Sequence, residues 1–446
     1  MSKKRFLKKF NSQSDSESQK DSVMGMPHVV LFDDTKELLY ASEGENPSID
    51  YSKEYFTIVN TSEEPLTIQL KQNTTAQTLN YKLSSSEDWL TSTALTVGVG
   101  EEVQLKGEYT PNSSNGIGNF YVSGSTFNIK GNVMSLLYGD DFIDQKDLSG
   151  KDYAFYGLFY NCTTLVSANE LILPATTLAK YCYGNMFNYC TNLVTAPELP
   201  ATTLADYCYR SMFSGTNVLP DCSNIDFTSK EVVASGGLKG LFSGTKVTDS
   251  NLEHILPKND NGKYCLPCTT LTDSCYSGMF QSCKNLVDAP ALPATTLASS
   301  CYSYMFQGCS SLVNAPALPA TTLVDSCYYG MFSNCTSLVE APQLLATTLA
   351  SSCYSQMFSN CKNLVTAPEL PATTLAKSCY SYMFGGCSKL NNITMLATDI
   401  SASSCLYSWV SGVASEGTFT KHPQMTSLPS GSDGIPNGWT IVDYKS

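Results

Sequence analysis

The sequence predicts a solenoid of short strands and helical turns, an α/β repeat architecture, with an all-β module ahead of it. Three observations predict this. Between Cys275 and Val410 one motif returns with almost no drift, C-Y-x-x-M-F-x-x-C-x-x-L-V-x-A-P-x-L-P-A-T-T-L-A, and it places Met at 279, 305, 331, 357 and 383, a step of 26 residues. A fixed period of that size marks an array in which one coil cannot bury its apolar face alone and neighbouring coils stack into a continuous core. Upstream, short alternating apolar segments separated by turn residues fill the stretch from Ser48 to Gly131. The composition, 42% hydrophobic and 15% charged over 446 residues, is that of a globular chain long enough for two or three domains.

Charge narrows the function classes. The formal charge of −13 is unevenly placed, with 17 acidic and 7 basic residues in positions 11–135 and few of either sign in the regular repeats, which disfavours nucleic acid as a partner. No run of 18 or more apolar residues exists, so no membrane insertion is expected. Lys3, Lys4, Arg5, Lys8 and Lys9 imitate the start of a secretory signal, but Asn11-Ser-Gln-Ser-Asp-Ser-Glu-Ser-Gln follows where an apolar segment would be required, so no signal peptide is read. This arm, residues 1–45, reads either as a solvated tail or as a docking arm. Within it, His28-Val-Val-Leu-Phe and Glu37-Leu-Leu-Tyr-Ala flank the polar cluster Asp33-Asp-Thr-Lys, a hairpin pattern. Two strands alone are marginal in water, so such a hairpin needs a partner.

Residues 46–134 are expected to form a β-sandwich. The strands are Tyr55-Phe-Thr-Ile-Val, Leu66-Thr-Ile-Gln-Leu, Leu79-Asn-Tyr-Lys-Leu, Leu95-Thr-Val, Val103-Gln-Leu-Lys, Asn119-Phe-Tyr-Val and Thr126-Phe-Asn-Ile. Their number and spacing suggest an immunoglobulin-like module whose role is to space or anchor the repeats.

The repeat region is placed at 135–412. A first irregular copy carries Leu158-Phe159, Cys162, Leu165 and Leu173-Pro-Ala-Thr-Thr-Leu178, and Met186-Phe187 and Met212-Phe213 open further copies. At Met212 and Leu241 the second cysteine is lost, and the interval from Leu241 to Met279 widens to 38 residues. The insertion near 250–270 contains Lys258-Asn-Asp-Asn-Gly-Lys263, whose Asn-Gly pair predicts a projecting hairpin, the kind of excursion that often carries function. In one coil, Leu312, Ala315 and Leu318 lie on a short extended run ending at Pro319, and Ser326-Cys-Tyr-Tyr-Gly-Met-Phe is expected to be a helical turn. Met305, Phe306, Leu312, Leu318 and Leu323 should point inward. The positions that differ between copies then face outward in two rows, Asp288, Asn314, Glu340 and Thr366, and Ala291, Ala317, Gln343 and Glu369. Tyrosines 276, 302, 328, 354 and 380 form a further column, with Tyr304, Tyr329 and Tyr382 beside it. They read either as half-buried packing with each hydroxyl in water or as a flat, low-charge binding face for glycan or protein. On the second reading Tyr302, Tyr328 and Tyr354 join the two rows as the candidate binding surface.

The 18 cysteines fall mostly in two columns, 275, 301, 327, 353, 379 and 405, and 283, 309, 335, 361 and 387. A strand-like spacing of roughly 4.7–4.9 Å would not exclude bonding between coils. Each member nevertheless has two equivalent neighbours, and a chain folded in a reducing cytoplasm keeps its thiols, which pack as small apolar groups. Cys265-Leu-Pro-Cys268 imitates half a zinc site, but Leu266-Pro-Cys-Thr-Thr-Leu271 is the repeat's own L-P-A-T-T-L with cysteine in the alanine place. No metal or cofactor is expected. Histidines 28, 254 and 422 lie in three different regions, and no nucleophile elbow, zinc-protease motif or phosphate loop occurs. Asp288 and Glu340 read as solvated surface rather than as an acid and base pair. An enzyme is not expected.

The unit M-F-x-x-C-x-x-L-x-x-A-P-x-L-P, over roughly residues 150–410, resembles the bacterial leucine-rich repeats called BspA-like. The resemblance implies a leucine-rich-repeat-type solenoid, right-handed and curved, used on cell surfaces for adhesion. Gly417-Thr-Phe and Gly434-Ile-Pro-Asn-Gly-Trp-Thr-Ile, within 413–446, look like the piece that caps such arrays. Phe6-Leu-Lys-Lys-Phe-Asn, with Pro27-His-Val-Val-Leu-Phe-Asp-Asp-Thr and Leu39-Tyr, resembles the N-terminal segments of tail-fibre or appendage proteins in virions of phages that infect gut bacteria. That implies a virion structural and host-adhesion protein, assembled in the host cytoplasm. Its partners would be other virion proteins through residues 1–45 and a host surface protein or glycan through the solenoid. The alternative is an adhesin on a bacterial cell surface, where members of the repeat family usually carry an export or lipoprotein signal. Ligand identity, place in the particle and homo-oligomerisation stay open at the level of sequence.

Overall fold

The computed structural model describes residues 50–112, 115–216, 234–253 and 255–445, together with three short strands inside residues 1–49. The chain divides into two compact units, Met1–Asp50 and Tyr51–Ser446. In the first unit, β1 (Lys8–Lys9), β2 (Leu31–Phe32) and β3 (Leu38–Tyr40) form an antiparallel sheet of order β1-β3-β2. Leu31 pairs with Leu39 and Lys8 with Tyr40. The two arms of the expected hairpin are therefore paired, while its turn at residues 33–36 lies outside the described residues.

In the second unit the chain is β-rich, with very few helical residues. It begins with β4 (Phe56–Asn60), β5 (Leu66–Gln72), β6 (Thr75–Ala76), β7 (Leu79–Leu83), β8 (Leu90–Ser92), β9 (Leu95–Val97), β10 (Glu102–Lys106), β11 (Asn119–Ser123) and β12 (Phe127–Asn132). All seven expected segments are strands, because alternation puts one face of each in the core. Leu66, Ile68 and Leu70 of β5 are buried while Thr67 is exposed. After a helical turn, α1 (Ser135–Tyr138), and a 3-10 turn over Gly139–Phe142, the chain continues to β13 (Leu165–Ile172), which pairs parallel with β12. One sheet thus runs β13-β12-β4-β10-β7-β8, and a second runs β11-β5-β6 with β9 on β5. The first copy of the repeat is stitched directly onto the first sheet.

Gly131 makes that junction possible. Its φ is +79°, and a Cβ there would lie 2.1 Å from the carbonyl oxygen of Tyr55. Gly131→Ala is expected to cost about 2–3 kcal/mol, because a left-handed conformation and a backbone collision act on the same residue. Urea unfolding checks this, and an unchanged midpoint would mean that β12 is not held tightly against Tyr55.

Downstream, successive copies lie side by side. Parallel bridges join Asp288 to Asn314, Asn314 to Glu340, Glu340 to Thr366 and Thr366 to Asn392, each a shift of 26 residues. The expected helical turn at 326–332 is absent. In its place is a run of tight turns with a left-handed residue at every fourth position, Ser326 (φ 55°), Gly330 (58°) and Asn334 (62°), preceded in the previous copy by Ser300 (55°), Tyr304 (58°) and Gly308 (75°). An α-helix cannot absorb positive φ at that frequency. The backbone is satisfied in another way. The N–H groups of Cys301, Ser303 and Met305 close onto the carbonyls of Ala298, Ser300 and Tyr302 at 3.1–3.2 Å, while those of Tyr302, Tyr304 and Phe306 donate to Cys327, Tyr329 and Met331 of the next copy at 2.7–3.0 Å. Every second amide therefore ties one copy to its neighbour.

Side chains make the same connection. Met305, Phe306, Leu312, Leu318 and Leu323 are all buried, as expected. Phenyl rings stack from Phe280 through Phe306, Phe332 and Phe358 to Phe384 at 5.8–6.0 Å between centroids, and the column continues back through Phe242, Phe213, Phe187 and Phe159 to Phe120 and Phe56 between the two sheets. At the other end Trp409 lies against both Phe384 and Tyr380, its indole N–H donating to the Gly434 carbonyl at 2.9 Å. The last sheet, β14 (Asn392–Met395), β15 (Thr418–Lys421) and β16 (Thr440–Asp443), continues the parallel pairing.

The second cysteine column has a defined role. The thiols of Cys309, Cys335, Cys361 and Cys387 donate to the carbonyls of Phe280, Phe306, Phe332 and Phe358 in the preceding copy at 3.0–3.1 Å. Where the cysteine is lost, Thr216 and Thr245 donate instead to Phe213 and Phe242 of their own copy. The position requires a small side chain with one donor. All described cysteines are free thiols, and only Cys265 among them is not buried. Burial raises the pKa of the column thiols, and it is the thiolate that reacts. In the native state at mild alkalinity, alkylation should therefore reach Cys265 before any described column member. After denaturation without reductant, nearly all 18 cysteines should take label. Intact-mass measurement checks both, and widespread unlabelled pairs would overturn the reading of free thiols.

In the insertion, a helical turn, α2 (Asp249–Leu252), precedes the expected hairpin, in which Lys258 bridges Tyr264 antiparallel and Gly262 adopts φ +73°. Thr270 then pairs parallel with Thr296, so Cys268 falls where Ala294 stands in the next copy and is equally buried. The zinc-like fragment is an ordinary part of the repeat.

Candidate binding surface

Of the sequence-predicted rows, Asp288, Asn314, Glu340 and Thr366 are exposed and lie in one continuous parallel ladder. The Asn314 amide donates to the Asp288 carboxylate. The row begins against the insertion, where the Asp249 carboxylate accepts the N–H groups of Val287 and Asp288 at 3.0 and 3.2 Å. In the second row Ala317, Gln343 and Glu369 are exposed, while Ala291 is half-buried, its N–H donating to Tyr264 of the insertion at 2.7 Å. At the far end Tyr444 donates its hydroxyl to Glu369 at 3.4 Å. The two rows are thus one face whose ends touch the insertion and the C-terminal sheet.

The tyrosine column is not part of that face. Tyr302, Tyr328 and Tyr354 are at most 2% exposed, and their rings stack at 5.9–6.0 Å inside the core. Burial holds their hydroxyls well above the ordinary phenolic pKa range. The expectation that each hydroxyl reaches water is corrected accordingly, and these three residues contribute packing rather than contact with a ligand. Accessible tyrosines lie beside the column. Tyr304 meets Tyr329 edge-on at 5.0 Å, and Tyr382 meets Tyr407 likewise at 5.2 Å.

Sequence reasoning missed an apolar stripe that runs beside the Asp288 row. Val287, Val313, Val339 and Val365 are 39–49% exposed, one per copy. The signal was present in the L-V step of the motif, since two adjacent residues of an extended segment cannot both face the core. Each valine stands next to a buried leucine and must point away. The face therefore combines a constant apolar stripe with a variable polar row.

Among the described residues, no group of three or more His, Cys, Asp or Glu is placed to hold a metal ion, and no helix is long and apolar enough to cross a membrane. No protein-family model matches the chain, and neither a curated protein nor a solved structure does. The resemblances to BspA-like repeats and to virion proteins accordingly rest on the motifs quoted above.

Proposed function

We propose that the protein is a non-enzymatic host-adhesion component of a virion, a tail fibre or appendage. Residues 135–412 form a leucine-rich-repeat-type solenoid of the BspA-like kind behind an immunoglobulin-like sandwich. The observation that carries this reading is how sequence variation divides between inside and outside. Core positions such as Leu312, Leu338 and Leu364 or Phe306, Phe332 and Phe358 hold the same residue from copy to copy and are fully buried, the valine stripe is constant yet exposed, and Asp288, Asn314, Glu340 and Thr366, which differ at equivalent places, are exposed. A fixed core under a variable face is what a display scaffold needs, because the outward residues can change without disturbing the stack. Attachment through residues 1–45 and residence on the virion rest on the resemblance of that arm to phage proteins.

Mass spectrometry of purified phage particles, set against host envelope fractions, tests the assignment. Recovery in the particle is expected. Recovery in the envelope alone would replace it with an adhesin of the bacterial surface. On the same reading, replacing Asn314, Glu340 and Gln343 together by alanine should weaken adhesion to host cells about tenfold while moving stability by no more than about 0.5 kcal/mol per site, as expected of exposed positions. Undiminished adhesion of the triple variant would move the contact off this face.

A further inference from the structure

We propose that the first copies of the repeat carry a site for the carboxylate or sulfate groups of an acidic polysaccharide, formed by Arg210, Lys239, Tyr181 and Tyr207. The inference rests on the reading of the repeat surface as a binding surface, and it names a ligand class for a different part of it. The observations begin with the left-handed position at the head of each turn run. Serine occupies it at 274, 300, 326, 352, 378 and 404, but tyrosine occupies it at 153, 181 and 207, with φ of 62°, 57° and 54°. A bulky residue held in this conformation is strained, and strain of this kind gathers at functional sites. The three rings stack at 4.7 Å, nearly parallel, and are partly exposed.

Two half-buried cations stand here, Arg210 against the rings and Lys239 near Arg210, and the exposed Lys180 ammonium lies 5.9 Å from the Tyr181 ring centre. The Arg210 guanidinium lies 6.0 and 5.9 Å from the ring centres of Tyr181 and Tyr207 and donates to the Tyr181 hydroxyl at 3.4 Å. Lys239 occupies the same place one copy further on, where its carbonyl accepts the Ser211 N–H at 2.8 Å. Its ammonium pKa is lowered, first by burial and then by Arg210. Among the described residues neither cation is ion-paired with a carboxylate. Asp152 and Asp206, which head the same turn runs, instead accept the backbone N–H groups of Lys180 and Ser235. Two half-buried like charges and a strained tyrosine ladder are both unfavourable alone. An anion held between them offsets the first cost and gives the second a use.

Geometry selects the chemistry of that anion. Guanidinium is a planar fork matched to carboxylate or sulfate. The ladder offers ring edges and hydroxyls rather than faces, because each ring covers the next and Tyr207 lies over Gly236, where a Cβ would meet the ring at 2.2 Å. Hydroxyl edges suit sugar hydroxyls. A peptide strand cannot add along these columns, since alternate amides already bond between copies and the rest close within their own. The net charge of −13 repels polyanions at long range, so an acidic polymer that binds does so through a local site.

The test uses the full-length protein in calorimetric titrations at physiological ionic strength. The probes are polygalacturonate, dextran sulfate, neutral dextran and poly-L-glutamate. Binding of at least one acidic polysaccharide and no binding of neutral dextran are expected, and the preferred polymer tells carboxylate from sulfate. The double variant R210S/K239S, which installs the residue found at 277 and 303, should weaken that binding about tenfold or more. The charge-matched K362S/K389S should not. Y207S, which restores the serine of later copies, should weaken it and leave the fold intact. Absence of binding, binding indifferent to R210S/K239S, or equal binding of poly-L-glutamate would each overturn the proposal. Host adhesion measured on the same variants separates the two ideas. Adhesion that persists without polysaccharide binding removes this site and leaves the adhesion reading standing.

Discussion

Stability is expected to collapse as the pH rises from about 8.5 towards 10, the range in which thiols of an unfolded chain ionise. Cys182, Cys275, Cys283, Cys301, Cys327, Cys379 and Cys387 are each pushed up to about 12, chiefly by burial. Cys190, Cys208, Cys309, Cys335, Cys353 and Cys361 move the same way. The folded value of each lies above the unfolded one. The contribution is therefore present in full below the unfolded pKa and is lost as the pH rises through the folded one. At pH ~10 each thiol favours the unfolded chain by about 2 kcal/mol. Many thiols shift in the same direction, so the combined loss is expected to be large against a total stability of about 5–15 kcal/mol. Urea midpoints recorded across this range, with reductant present and oxygen excluded, check it. A flat profile up to pH ~10 would be incompatible with protonated thiols locked in the core.

Phe306→Ala is expected to cost about 3–5 kcal/mol, the range for truncating a fully buried phenylalanine. Its ring lies 6.0 Å from Phe280 and 5.9 Å from Phe332, within 2° and 8° of parallel, and has no exposure. A methyl group there leaves a gap between Phe280 and Phe332, the rings stacked on its two sides. The damage should extend beyond the site, because a copy is stabilised by its two neighbours and by little else. Urea unfolding should shift to lower denaturant and broaden as the copies on either side uncouple. Phe306→Leu should cost less, since the side chain still fills much of the space. If the alanine variant unfolded where the parent does, the phenyl column would not be what joins the copies.

The repeat was legible because its period survives in the apolar residues. Met305, Phe306, Leu312, Leu318 and the two cysteine columns recur every 26 residues, and all of them are inside. The conformation of the return segment was harder to see. Ser326-Cys-Tyr-Tyr-Gly-Met-Phe resembles one turn of a helix when its apolar residues are read, yet the information lies in Gly330 and Asn334, four residues apart, and in Gly308 and Asn360, which hold the place of Asn334 in the copies before and after, all residues that tolerate positive φ. Tyrosine misled for another reason. An amphipathic ring gives no direction by type, so Tyr302 and Tyr304 look alike in sequence although the first is buried and the second is partly exposed. Constancy within the chain separates them: tyrosine is kept at 276, 302, 328, 354 and 380, whereas the place of Tyr304 holds glycine at 278 and 330 and glutamine at 356. The Arg210 cluster had no sequence signal of its own, since Arg210 and Lys239 stand 29 residues apart, off the regular period, and meet only when adjacent copies are laid side by side.

The sameness of the contacts between copies has a genetic consequence. Excision of residues 301–326 would bring Ser300 to Cys327 and set Phe280 against Phe332 and Tyr276 against Tyr328, pairs chemically identical to those they replace. The amide of Tyr276 would find the Cys327 carbonyl where it had found that of Cys301. A duplication of the same segment would be equally silent to its neighbours. Loss or gain of one such unit would give a chain shorter or longer by a whole copy with its core stacking contacts kept, the outward row alone changing, as where Asp288 would meet Glu340 in place of Asn314. A lineage can therefore change its reach and its outward residues in one step, without passing through a broken intermediate.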